Sequence, residues 1–187
     1  AQAIAKNDFI VAGLDIFEDT FKCLDKNLTV KKRIGDGCRV KTGTVIAEVT
    51  GSLASILQAE RVALNLLQRM CGIATLSAKY AEAVRGTKTK ILDTRKTVPG
   101  LRVLDKMAVR IGGASNHRTG LYDGVLIKDN HIEAAGGIAA AVAAQRKHMR
   151  HSMKIEVETE NLQEVREAVA CGVDIIMLDN MTNRVMK

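Results

Sequence analysis

Aromatic residues and proline are scarce in this chain of 187 residues. Its single proline, Pro99, excludes a proline-rich linker or a collagen-like segment. Three phenylalanines, two tyrosines and no tryptophan are too few for the aromatic platforms on which proteins stack single-stranded nucleic acid. No apolar run is long enough to span a bilayer, and the N-terminus lacks a basic-then-apolar signal pattern, so we expect no membrane segment.

The short motifs of several large enzyme classes are also missing. The four cysteines are scattered without a Cys-x-x-Cys pair, and no set of histidine, cysteine and carboxylate residues has zinc-ligand spacing. The sequence contains no dinucleotide-binding glycine motif, no Walker loop and no nucleophile elbow. We expect reduced, buried thiols in a cytoplasmic protein.

What the chain does have is a globular composition with an excess of positive charge. Hydrophobic residues make up 47% and charged residues 26%, and the formal net charge is +7. This balance favours an anionic partner, which can be nucleic acid, an acidic membrane surface, or a small phosphorylated or carboxylated substrate.

The first part of the chain predicts a small α+β unit. Apolar spacing predicts a helix over Leu14–Leu24, and β-prone segments predict strands at Leu28–Ile34 and Val45–Val49. Two further helices are predicted over Ser52–Met70 and Ile73–Val84.

From residue 90 onward, short apolar strands alternate with helices, which is typical of βαβ units and a parallel sheet. The predicted elements are strands at Lys90–Asp93, Gly124–Lys128, Lys154–Glu158 and Val173–Leu178, and helices at Leu101–Ile111, Glu133–Met149 and Asn161–Ala170. Four strands cannot close an eight-stranded barrel, so we expect an α/β fold that is incomplete at the C-terminus. The change of pattern places a domain boundary near residue 63, which gives domains 1–63 and 64–187.

Charged and hydrogen-bonding residues gather where the predicted strands end. The cations at these ends are Arg95, Lys96, His117, Arg118 and Lys128, and the acids are Glu158 and Asp179. Any one cluster could be a solvated loop, but ligands of parallel α/β folds bind at the carboxyl ends of the strands. Converging cations need a ligand with several carboxylates or phosphates, and the acids suit a divalent metal or a developing positive charge.

Several segments form a more specific pattern as a set than any one of them does alone. They are Gln58–Gln68, Gly72–Thr75, Asp93–Arg102, Gly112–Arg118, Leu126–His131, Ile155–Glu158 and Leu178–Asn180. In order and spacing, from about residue 1 to 182, the chain resembles the quinolinate phosphoribosyltransferase family.

The resemblance implies a fold and a reaction. The fold is an N-terminal open α/β sandwich domain followed by an α/β barrel of parallel strands, similar to a TIM barrel and truncated in this chain. The reaction joins quinolinate to 5-phosphoribosyl 1-pyrophosphate with Mg²⁺, giving nicotinate mononucleotide, pyrophosphate and carbon dioxide in NAD biosynthesis. Both substrates are polyanions, as the cationic strand ends require.

Residue roles follow from the same resemblance. The substrate-binding residues would be Arg61, Thr94, Arg95, Lys96, His117, Arg118, Lys128, Glu158 and Asp179. Lys128, Glu158 and Asp179 would be catalytic, and the two acids would also face Mg²⁺. Arg61 would reach the active site of a neighbouring subunit, which implies a homodimer or a dimer-based hexamer.

Two departures and two alternatives accompany this interpretation. Cys71 stands where the family usually has serine, and the family's glycine-rich segment for the ribose 5-phosphate lies beyond Lys187.

One alternative is a ModD-like pyrophosphorylase of the same fold; the intact Thr-Arg-Lys and Asn-His-Arg clusters favour the quinolinate enzyme. The other is a basic nucleic-acid-binding module, whose cations should line a surface stripe instead of strand ends.

Overall fold

The structure, a computed structural model, describes residues 1–187. It divides into two compact units, Ala1–His117 and Arg118–Lys187. None of the helices combines the length and apolar character that a bilayer crossing requires. The predicted α/β class is confirmed, since antiparallel sheets and helices form the first unit and a parallel sheet with helices forms the second.

Helices and short antiparallel strands build the first unit. Its elements are β1 (Gln2–Ile4), β2 (Phe9–Ile10), α1 (Leu14–Leu24), β3 (Thr29–Lys32), β4 (Arg39–Val40), β5 (Val45–Thr50), α2 (Leu53–Ala83) and α3 (Arg102–Ile111). The strands form one sheet in the order β1-β5-β3 and a separate β2-β4 pair. The helix predicted over Leu14–Leu24 is confirmed, and its buried Phe17 and Phe21 rings meet edge to face at 5.0 Å.

Asp36 caps α1 from a distant loop. The helix begins after Gly13, whose φ of 94° lies in the left-handed region that favours glycine. The Asp36 carboxylate accepts hydrogen bonds from the backbone N–H groups of Gly13 at 2.9 Å and Leu14 at 3.1 Å. These are N–H groups that a helix start otherwise leaves without partners.

Asp36→Ala is therefore expected to lower the free energy of unfolding by about 1–2 kcal/mol, as for other lost helix caps. Urea denaturation of the full-length protein measures this change. The control is Asp19→Ala, because Asp19 is exposed on α1 itself. An equal loss of stability in both variants would mean that the Asp36 cap contributes nothing specific.

The prediction of two helices between Ser52 and Val84 is wrong. Helix α2 runs without a break from Leu53 to Ala83, past Gly72. A glycine inside a helix costs only about 1 kcal/mol. That cost is outweighed because the residues on either side of it, including Met70, Cys71 and Ala74, are buried.

All four cysteines are free, but the prediction that they are buried holds for Cys71 alone. Cys23 and Cys38 are exposed, and Cys171 is half-buried. The Cys71 Sγ accepts a hydrogen bond from the Ala12 N–H at 3.3 Å. Burial raises the pKa of the Cys71 thiol to about 11, so this thiol is a structural group that joins α2 to the start of α1.

A parallel three-stranded sheet forms the centre of the second unit. Its elements are β6 (Val125–Ile127), α4 (Asp129–Ala135), α5 (Ile138–His148), β7 (Ile155–Thr159), α6 (Leu162–Ala170), β8 (Ile175–Leu178) and α7 (Asn183–Met186). The strand order is β6-β7-β8, with Ile127 opposite Val157 and Glu158 opposite Met177.

Two other predicted elements are corrected. The helix predicted over Glu133–Met149 is two helices, α4 and α5, because Gly136 and Gly137 between them have φ values of 81° and 135°. The strand predicted over Lys90–Asp93 is a single parallel bridge between Leu92 and Ser115. The domain boundary near residue 63 stays a prediction; it falls within α2, whereas the compact units divide after His117.

The two faces of the parallel sheet differ in character. Ile127, Ile155 and Val157 lie on one face and pack against α5 and α6 in a buried apolar cluster. Because side chains alternate along a strand, Lys128 and Glu158 lie on the opposite face, away from these helices. This second face carries the polar groups of the candidate site in the second unit.

Candidate active site

In the first unit, backbone hydrogen bonds hold two predicted substrate-binding segments side by side. Ser115 N–H donates to the Ile91 carbonyl at 2.9 Å, and Asp93 N–H donates to the Ser115 carbonyl at 3.1 Å. The segment Thr94–Lys96 begins directly after this bridge, and His117 follows it on the other side. The structure thus brings the Thr-Arg-Lys segment next to the Asn-His segment.

The Asp93 carboxylate organises both segments. It accepts hydrogen bonds from Lys106 Nζ at 2.5 Å, Asn116 Nδ2 at 2.6 Å and the His117 N–H at 2.8 Å. The side chains of Lys106 and Asp93 are only 6% and 9% exposed. A buried carboxylate needs such donors to offset its loss of hydration.

Arg95 presents an unpaired donor in this unit. Its Nε is buried and has no hydrogen-bond partner. Its backbone carbonyl accepts from Arg102 Nη2 at 3.3 Å, and Arg102 Nε donates to Thr97 Oγ1 at 3.1 Å, so the loop around Arg95 is held in place. A buried N–H without a partner is costly, and an anionic ligand would remove that cost. Thr94 and Lys96 beside it are exposed.

In the second unit, Lys128 and Glu158 face each other across neighbouring strands. Lys128 Nζ lies 2.8 Å from Glu158 Oε2, and the side chains are 43% and 18% exposed. The two atoms form an ion pair by distance, yet Glu158 Oε2 lacks a partner in hydrogen-bonding geometry. This buried oxygen can still accept a directed bond or coordinate a cation.

Asp179 directly follows β8 and is half-buried. Its N–H donates to the Thr159 carbonyl at 2.8 Å, so the pairing of β7 with β8 continues up to this residue. Asn180 beside it has a φ of 51° and donates from Nδ2 to Asp179 Oδ2 at 3.2 Å. By register and alternation, Asp179 shares a sheet face with Glu158.

The acidic residues fit a magnesium ion that the substrate would hold in large part. The structure contains no group of three or more residues able to ligate a metal. Mg²⁺ is commonly bound through one or two carboxylates together with substrate phosphates and water, without an all-protein cage. The carboxylates of Glu158, whose Oε2 is ion-paired with Lys128 Nζ, and of Asp179 would be such a donor set.

Arg118 lies in the second unit, where Nη1 donates to the Gly124 carbonyl at 2.9 Å. It lines a cavity of about 200 Å³ together with Leu126 and His131. The structure therefore brings Arg118 to the start of β6 and α4.

Arg61 is joined to neither group of site residues. It is exposed on α2, one turn after Leu57 and two turns after Leu53 on the same helix face. Leu57 and Leu53 are themselves 58% and 69% exposed.

Comparison with known proteins identifies the family. The N-terminal-domain model of quinolinate phosphoribosyl transferase matches residues 1–71, and the C-terminal-domain model matches residues 73–187. The chain belongs to the quinolinate phosphoribosyltransferase family. The resemblance read from the motifs is thereby confirmed.

Individual relatives agree with this family. A Synechocystis sp. protein named "Probable nicotinate-nucleotide pyrophosphorylase (carboxylating)" is 49% identical over 181 residues, which cover 97% of this chain and 61% of the relative. A Bacillus subtilis protein of the same name is 48% identical over 180 residues, covering 96% and 62%. The crystal structure of NadC from Streptococcus pyogenes superposes with a TM-score of 0.93 at 43% identity, covering 99% of this chain and 66% of that one. The chain spans about three fifths of the length of these two curated relatives.

Two residues that position predicted site residues, one in each unit, were not predicted from the sequence. Lys106 lies in α3 between Asp105 and Met107, and nothing in that local pattern marks a lysine as buried. His131 Nδ1 accepts the Lys128 N–H at 3.0 Å and so fixes the start of α4. For His131 there was a signal, because it stands three residues after Lys128 at a helix start.

Proposed function

We propose that the protein transfers the phosphoribosyl group of 5-phosphoribosyl 1-pyrophosphate to quinolinate and releases carbon dioxide. The observation that supports this proposal is a pair of buried polar atoms. Two buried side-chain atoms lack hydrogen-bond partners, Arg95 Nε and Glu158 Oε2, and both belong to predicted site residues. Arg95 Nε is a donor that an anion would satisfy, whereas Glu158 Oε2 is held only by its ion pair with Lys128 Nζ and could stabilise a developing positive charge.

The charges of the predicted site residues indicate which part of each substrate they would contact. Arg95, Lys96, His117, Arg118 and Lys128 would bind the carboxylates of quinolinate and the phosphates of the second substrate. The pyridine nitrogen would form a bond to C1 of the ribose while the bond from C1 to pyrophosphate breaks. The 2-carboxylate then leaves as carbon dioxide, its bonding electrons stay on ring carbon C2, and C2 takes up a proton from water to give nicotinate mononucleotide.

Glu158 and Asp179 would act on the ribose. As pyrophosphate departs, positive charge develops on the sugar, and two fixed carboxylates on one sheet face stabilise it. Lys128 pairs with Glu158 at 2.8 Å in the protein alone. Contact of Lys128 with a substrate carboxylate would weaken that ion pair. The Glu158 carboxylate could then interact with the ribose. Mg²⁺, held by these acids and the substrate phosphates, would neutralise charge on the leaving pyrophosphate.

The proposal includes a homodimer, or a hexamer built from dimers, with Arg61 serving the site of the adjacent subunit. Support comes from α2, where Leu53 and Leu57 on the face of Arg61, and the neighbouring Val62, are exposed apolar residues. A second copy of the chain would cover this surface. We also place the enzyme in the cytoplasm, where its four free cysteines would stay reduced.

Calorimetry on the full-length protein tests the substrate class. Quinolinate, with two adjacent carboxylates, should bind at least about tenfold more tightly than nicotinate, with one, because each charge-assisted contact adds roughly 1.5–3 kcal/mol. Equal affinity for the two acids, or no binding of quinolinate, would contradict the proposal.

Asp179→Asn keeps the shape of the side chain and removes its charge. We expect kcat to fall about ten- to a thousand-fold, roughly 1.4–4 kcal/mol, with a smaller change in KM. Asp174→Asn is the matched control, since Asp174 lies at the opposite end of the same strand and accepts a hydrogen bond from the Ile155 N–H. Steady-state kinetics and thermal midpoints of both variants separate catalysis from stability. Near-wild-type kcat in Asp179→Asn would remove Asp179 from the catalytic residues.

A further inference from the structure

Lys106 is a buried lysine whose position is fixed by more than charge pairing. Only 5% of the residue is exposed. Its Nζ donates to Asp93 Oδ1 at 2.5 Å and to the His117 carbonyl at 3.0 Å. A buried ammonium group is tolerated only where such partners replace water, so this arrangement has one preferred geometry.

Together, Lys106 and Asp93 hold both ends of one residue's backbone. Asp93 Oδ1 accepts the N–H of His117, and Lys106 Nζ donates to the carbonyl of the same residue. Asn116 adds a link, because its Nδ2 donates both to Asp93 Oδ2 and to the Lys106 carbonyl. The backbone of His117 is therefore tied on both sides to the residue that precedes Thr94 and Arg95.

The residue next to Lys106 offers a natural comparison. Asp105 is also buried on α3 and forms a two-pronged ion pair with Arg69 of α2, with both N···O distances at 2.7 Å. The hydrogen bonds of this second pair join α2 to α3. Helix α3 thus contributes to one partly buried ion pair that joins two helices and to one buried ion pair that holds predicted substrate-binding loops.

We propose that Lys106 is a positioning residue for the anionic substrate. It acts through Asp93 and the His117 backbone, and it presets the 94–96 and 116–117 segments in the arrangement that binds carboxylates. Preset binding groups lose less conformational freedom when the ligand arrives, and small displacements of such groups are costly. The inference rests on the proposed quinolinate activity and adds a residue that does not touch the substrate.

Substitution of Lys106 by methionine tests the proposal in the full-length protein. In Lys106→Met, we expect the Kd and KM for quinolinate to rise about 10- to 100-fold, with the KM for the phosphoribosyl substrate changed less. Arg69→Met is the matched control; it also leaves a buried aspartate without its cation, and it should change quinolinate affinity less than about twofold. Both variants are measured well below the lower of their thermal midpoints.

Double variants allow the same comparison of quinolinate affinity if a single variant does not fold. Lys106→Met with Asp93→Asn removes both charges, which buried pairs often tolerate better than loss of one partner. We expect its quinolinate Kd to rise as far as that of Lys106→Met, because the two residues act as a unit. Arg69→Met with Asp105→Asn serves as its control. Equal effects in the Lys106 and Arg69 series would overturn the proposal.

Hydrogen exchange at the His117 amide gives a readout that needs no ligand. Protection of this N–H should fall at least about tenfold in the Lys106 variants and stay unchanged in the Arg69 variants. Unchanged His117 protection in the Lys106 variants would overturn the positioning role. Failure of the wild-type protein to bind quinolinate, with the exchange result as expected, would instead overturn the proposed function alone.

Discussion

Arg61→Ala is expected to abolish turnover in the proposed homodimer. Arg61 is exposed on α2 beside exposed leucines, so its removal should leave the fold of each subunit intact. The expected loss follows from the proposal that Arg61 serves the active site of the adjacent subunit. Arg166→Ala, which removes an exposed arginine from α6, should leave kcat unchanged.

Mixing tests the shared site directly. Lys128→Ala should also be inactive, but its Arg61 is intact. When the two inactive dimers exchange subunits, half of the dimers become hybrids, and one of the two sites in each hybrid has both wild-type residues. Activity should therefore return to about a quarter of the wild-type value in an equal mixture. Mass spectrometry verifies subunit exchange. Mixtures that stay inactive after exchange would refute the proposal that Arg61 contributes to the active site of the adjacent subunit.

Arg118→Ala should weaken quinolinate binding by about 2–5 kcal/mol, the usual cost of truncating one partner of a buried charge pair. The Arg118 guanidinium is held by the Gly124 carbonyl at 2.9 Å, so the wild-type side chain is oriented before the ligand arrives. Affinity for 5-phosphoribosyl 1-pyrophosphate should change far less. Calorimetry with each substrate measures the difference.

A matched arginine serves as the control for Arg118. Arg146 also donates from its guanidinium to a backbone carbonyl, that of Gly172 at 2.7 Å, within the same unit. Arg146→Ala should leave quinolinate affinity unchanged. If Arg118→Ala weakened both substrates equally, its assignment to quinolinate would be wrong.

Local patterns predicted those elements whose burial repeats within a few residues. The α1 helix was predictable because Leu14, Phe17 and Phe21 recur at helical spacing and are all buried. The three strands of the parallel sheet were predictable because short apolar runs end in charged residues. Lys128 and Glu158 were both expected where strands end, but the ion pair between them was not predicted.

Features decided by distant contacts could not be predicted in the same way. Gly72 looked like a helix break, yet burial of the neighbouring residues against other elements carries α2 through it. The burial of Lys106 depends on Asp93 and His117, which are 13 and 11 residues away in the sequence. No periodicity connects residues at those separations, so only the fold shows that they form one network.

The most direct test of the central claim follows the carboxylate that the reaction should expel. Full-length protein is incubated with Mg²⁺ and with quinolinate that carries an isotopic label in its 2-carboxylate. The label should leave as carbon dioxide only when 5-phosphoribosyl 1-pyrophosphate is present, with one carbon dioxide released for each pyrophosphate and unlabelled nicotinate mononucleotide as the product. Pyrophosphate release without labelled carbon dioxide, or a nucleotide that retains the label, would contradict the account.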